Sequence, residues 1–112
     1  ADRQPAHMCN VPLPAGTRGD GFRQVFSDII VPALRSHNPQ MIFISAGFDA
    51  HYEDDMGSMG LLEADYIWVT DQLKGVADDC GHTRIVSVLE GGYALSALGR
   101  SVVAHVKALA GL

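Results

Sequence analysis

Basic charge, cysteine and long apolar runs are all scarce in this 112-residue chain, and each scarcity excludes something. Only 8 Lys+Arg stand against 13 Asp+Glu, a formal net charge of −5 at pH 7. A protein that grips a phosphate backbone needs a basic face, so no direct nucleic-acid partner is expected. The two cysteines, Cys9 and Cys80, are too few for a disulfide framework and predict a reducing, cytoplasmic setting. No apolar run approaches the roughly 20 residues of a membrane span, and no signal-type segment follows Ala1. Nucleotide fingerprints are missing too. No Gly-x-Gly-x-x-Gly follows an apolar run and no Gly-Lys-Ser/Thr occurs; Gly16, Gly19 and Gly21 have neither the spacing nor a preceding strand.

What is present suits one globular segment. With 47% hydrophobic residues the chain is too apolar for disorder, and its length allows a single domain at most. Residues 1–7 read as loose, and Pro12 and Pro14 restrict residues 8–13 to an edge strand or an extended arm. Phe22, Val25, Phe26, Ile29, Ile30, Ala33 and Leu34 recur at helical spacing and predict a helix over 20–36. Pro32 should bend that helix or mark its last turns, and Asn38-Pro39 should close it. Met41 to Ser45 and Arg84 to Leu89 are short continuous apolar runs, the pattern of parallel strands buried on both faces. Leu62, Tyr66, Val69, Leu73 and Val76 trace a helix over 62–79; Leu95, Leu98, Val102, Val106 and Leu109 trace another over 94–110.

The predicted order is therefore α-β-α-β-α around a right-handed parallel crossover. So thin a sheet, with apolar strands and a chain that opens on Ala1, predicts a part of a larger unit.

In an open parallel sheet, ligands bind beyond the carboxyl ends of the strands. Here those ends read Gly47-Phe48-Asp49-Ala50-His51 and Glu90-Gly91-Gly92-Tyr93. Asp49, His51, Glu90 and Tyr93 can thus converge on one rim. Asp49 and His51 are metal-capable, Tyr93 offers a phenolic donor, and Gly91 and Gly92 let the backbone turn sharply. Such a set fits hydrolysis of an amide or ester by metal-activated water. The residues alone equally admit a plainer reading, in which Asp49 and Glu90 cap the segments that follow.

Three segments in register carry a resemblance: Asn10-Val11-Pro12-Leu13-Pro14-Ala15-Gly16-Thr17, Ser45-Ala46-Gly47-Phe48-Asp49-Ala50-His51 with Asp54 and Gly57 downstream, and Val88-Leu89-Glu90-Gly91-Gly92-Tyr93. Together they resemble the histone deacetylase family, nearest its bacterial deacetylase-like and acetylpolyamine amidohydrolase members, over roughly the C-terminal third of the fold. The resemblance implies a three-layer arginase/deacetylase-like α/β fold and a zinc-dependent amidohydrolase acting on acyl-lysine or acetylpolyamine substrates. It implies that Asp49 is a zinc ligand and that Tyr93 donates to the oxyanion. Gly91, Gly92 and Met56 would line the substrate tunnel, with His51, Asp54 and Glu90 in support. Asp55 stands where the family usually has proline, which alters the rim. The family's Asp-x-His ligands and His-His base are missing, since His7, His37, His51, His82 and His105 stand singly. One carboxylate cannot hold a catalytic zinc, so the chain alone should be inactive. The alternative is a non-catalytic remnant or a structural module that self-associates through an exposed sheet edge.

Overall fold

The computed structural model describes residues 6–112; the loose segment expected over 1–7 lies largely outside the described residues. The order is α1 (Gly19–Val25), a π-helical turn (Phe26–Ile30), α2 (Val31–His37), β1 (Ile42–Ala46), α3 (Glu63–Asp79), β2 (Ile85–Leu89) and α4 (Leu95–Ala110). No strand forms over residues 8–13.

The first helical stretch shows how Pro32 is accommodated. Proline has no N–H, so the carbonyl four residues before it loses its donor. The N–H of Val31 bonds instead to the carbonyl of Phe26, five residues back, and the backbone stays right-handed helical on both sides. The proline therefore neither ends the helix nor breaks it; a single π turn absorbs it. The stretch closes at Asn38, which takes a left-handed conformation with φ of 51° before Pro39.

β1 and β2 pair in parallel, Ile42 opposite Ile85 and Ala46 opposite Leu89. Side chains alternate across a strand, so Ile42, Ile44, Ala46, Ile85 and Ser87 share one face. The helices pack on that face. Phe26, Val31, Ile42, Val76 and Ala77 are buried together, with Phe22, Trp68, Leu73 and Ile85 around them. A second cluster, Ala46, Phe48, Leu61 and Tyr66, sits nearer the carboxyl ends of the strands. The opposite face is open: Phe43 is 71% exposed, and Val86 and Val88 are exposed beside it. The expectation of strands buried on both faces is thus corrected for the described residues, because every helix among them covers the same side.

α3 and α4 are joined by a polar tie inside this packing. The Thr70 hydroxyl donates to the Tyr66 carbonyl at 2.7 Å, so toward His105 it can only accept, at 2.8 Å from Nδ1. The proton of His105 therefore sits on Nδ1, and Nε2 accepts from the Ser87 hydroxyl at 2.8 Å. Burial pushes the His105 pKa down and keeps the ring neutral. Lys74 adds a bond to the Ala108 carbonyl at 2.7 Å. No helix among the described residues is long and apolar enough to cross a membrane.

Candidate active-site rim

The ladder between the strands runs on past their ends. Glu90 N–H donates to the Ala46 carbonyl at 3.0 Å, and Phe48 N–H to the Gly91 carbonyl at 2.8 Å. The two loops therefore leave the sheet side by side. Between these bonds Phe48 turns into the core, its ring centre 5.0 Å from that of Tyr66 and tilted 54° to it, and Asp49 turns out.

Asp49 is enclosed by glycines. A methyl group at Gly91 would fall 3.0 Å from the Asp49 carboxyl carbon, and one at Gly57 only 2.0 Å from the Asp49 carbonyl oxygen. Gly57 has no room for a side chain, and at Gly91 a side chain would displace the Asp49 carboxylate. Among the described residues no donor bonds to the Asp49 carboxylate, so it is a half-buried acid with free lone pairs. Gly92 is required for another reason: its φ is +142°, and a methyl there would meet Leu98 at 2.6 Å.

Tyr93 follows on the same rim with its side chain 57% exposed. Its backbone is tied down by Asp54, whose Oδ2 accepts from the Tyr93 N–H at 2.6 Å and the Ala94 N–H at 3.1 Å. Asp54 Oδ1 accepts from the Met56 N–H at 2.9 Å. These bonds, that from Tyr93 foremost, hold the buried Asp54 carboxyl below its ordinary pKa. Asp49, Asp54, Gly91, Gly92 and Tyr93 are thus brought together. Met56 stands in the same loop with an exposed side chain, and Glu90 is exposed, contributing its backbone to the ladder.

His51 faces inward. It is 1% exposed, and its Nδ1 accepts the Glu53 N–H at 3.0 Å. Its Nε2 lies 3.2 Å from Glu63 Oε1, at ion-pair distance without hydrogen-bond alignment. His51, Glu53 and Glu63 bring their ligand atoms within 4.8 Å of one another, which could hold a metal ion. The tautomer opposes that reading. With Nδ1 accepting, a neutral ring carries its proton on Nε2, the atom that would have to ligate. Arg100 already bonds Glu63 at 2.6 Å and also Glu53, and the Arg100 bond holds the Glu63 carboxyl below its usual range. The group is an ion-pair network bracing the loop from below.

Sequence reasoning missed Glu63 and Arg100, which lie 37 residues apart. It treated Tyr66 as one more apolar helix position. Its hydroxyl is buried without a hydrogen-bond partner among the described residues, and burial, reinforced by the negative field of Asp49 and Asp54, raises its pKa.

Comparison with known proteins shows what the chain as a whole is similar to. The pattern described as the histone deacetylase domain matches residues 1–109. Type-2 histone deacetylase 1 of Dictyostelium discoideum is 43% identical over 92% of this chain, which covers 7% of that protein. A probable deacetylase of Archaeoglobus fulgidus is 37% identical over 94% of the chain and 30% of its own length. Among solved structures, the HD domain of HDA15 superposes with a TM-score of 0.79 at 32% identity, over 88% of this chain and 27% of that one. The histone deacetylase Clr3 gives 0.80 at 30% identity, over 88% and 16%. The chain spans less than a third of each of these proteins. Family match and fold agree: the chain belongs to the histone deacetylase domain family and carries part of its arginase/deacetylase-type fold.

Proposed function

We propose that this chain supplies two groups to a zinc-dependent hydrolase of acylated amines: Asp49 as one metal ligand and Tyr93 as the hydroxyl donor to the oxyanion. The observation that carries the reading is the Asp49 carboxylate itself, half-buried, unpaired among the described residues and cradled by Gly91, two residues before Tyr93. Histone deacetylases are in general zinc-dependent, and an unpartnered carboxylate is a fitting donor for that ion. When bound, zinc lowers the pKa of water and polarises a carbonyl.

Every other role belongs to the chain's own residues. Asp49 holds one coordination position. Tyr93, exposed at the mouth, donates its hydroxyl proton toward the carbonyl oxygen as negative charge gathers there. Gly91 and Gly92 keep side chains out of the approach, and Met56 offers it an apolar wall. That combination suits a slender acyl-lysine or acetylpolyamine chain.

The remaining metal ligands and the proton-transferring histidine have no counterpart in this sequence. We therefore expect no turnover when the 112-residue chain alone meets zinc and an acetyl-lysine peptide; measurable deacetylation would overturn the division of labour. In a complete domain carrying this chain, Tyr93→Phe should lower kcat by roughly 10²–10³, the usual loss of one oxyanion donor. Full activity in that variant would remove Tyr93 from the mechanism.

One observation favours a second, non-catalytic reading. Phe43, Val86 and Val88 form an uncovered apolar strip. A module built to self-associate would present such a face.

A further inference from the structure

We propose that Asp54 is the positioning residue of this rim, holding the turn at Gly91–Ala94 against the Asp49 loop so that Tyr93 stays at the mouth. The proposal deepens the function proposed above and rests on it for the role of Tyr93.

Three N–H groups converge on this one side chain: Tyr93 at 2.6 Å and Ala94 at 3.1 Å on Oδ2, Met56 at 2.9 Å on Oδ1. The residue is 4% exposed, so water does not compete freely for those donors. Among the described residues no other hydrogen bond joins residues 51–58 to residues 90–94. The bonded pairs lie 39 and 40 residues apart, so this acid clasps two segments distant in sequence, beyond the Phe48–Gly91 bond that already sets them side by side. Only a carboxylate meets the demand, because it accepts on both oxygens and donates on neither. An asparagine must turn its NH2 toward at least one of the three donors. The negative charge also sits at the N-terminal end of α4, where the helix field favours it.

The test uses amide hydrogen exchange in the 112-residue chain, followed by steady-state kinetics in a complete zinc-loaded enzyme carrying it. Asp54→Ala should speed exchange at Tyr93 and Ala94 by on the order of tenfold or more, with the β1 amides unchanged. Unchanged exchange at Tyr93 and Ala94 overturns the proposal. Should that variant not fold, Asp54→Asn serves: its one oxygen should keep Tyr93 and Ala94 protected and free the Met56 N–H. Wild-type protection of all three amides would overturn it equally. In the enzyme, Asp54→Ala should lower kcat by roughly 10–100-fold with KM within about twofold, and Asp54→Asn should recover part of the loss. An unchanged kcat refutes the positioning role while Tyr93→Phe still cripples turnover. If Tyr93→Phe is instead harmless, the role of Tyr93 fails, and the exchange result still judges the clasp.

Discussion

Asp49 is defined by what its neighbours lack. A methyl at Gly57 would press on its backbone carbonyl, which no side-chain movement relieves, and one at Gly91 on its carboxylate, which would have to shift to make room. Gly57→Ala should therefore destabilise the fold by about 1–3 kcal/mol, the range for forced overpacking, read as a lowered urea midpoint. Gly91→Ala should change stability less and metal binding more. In a complete domain we expect zinc affinity to fall roughly 10–100-fold, because the added methyl moves the ligand itself. Both glycines stood in motifs, yet their reason did not. Sequence shows that a glycine is present; only coordinates show which atom it makes room for. The Arg100–Glu63–Glu53–His51 network was less legible still, since its members carry no periodic signal and come from three separate segments.

Among the elements, β1, β2, α3 and α4 begin and end within a residue or two of their expected bounds, because each follows one hydrophobic period and stops at a turn residue. The π turn before Pro32 was not readable: proline announces a lost hydrogen bond, and the helix had several ways to accommodate it. The tie of Ser87, His105 and Thr70 was likewise hidden, because a histidine on an apolar stripe gives no sign of its partners. That tie has a pH dependence of definite sign. Burial lowers the His105 pKa below its ordinary 6.5, so the unfolded chain binds the proton more tightly. Stability from this site is complete above pH 6.5 and is lost as pH falls through the folded value. Urea unfolding at pH 7.5 and 5.5 should show a smaller acid loss in His105→Gln than in the parent chain; equal losses would remove His105 as the cause.

For the molecule as a whole, the open side of the sheet governs behaviour in solution. Phe43, Val86 and Val88 cannot stay wetted without cost, and both outer strand edges are unpaired among the described residues. We expect light scattering to show concentration-dependent self-association of the 112-residue chain, and Val88→Lys to shift it toward monomer. A stable monomer of the parent chain at high concentration would count against that expectation. The extended ladder past the strand ends bears on the whole assembly as well. The N–H of Phe48 to the Gly91 carbonyl sets which side chain looks outward. Were the two segments to slip by a single position, an aromatic ring would stand at the opening and the acid would be driven into the core. The placement of Asp49 on this rim is therefore digital in its alignment: it tolerates breathing of the strands, but no miscounting between them.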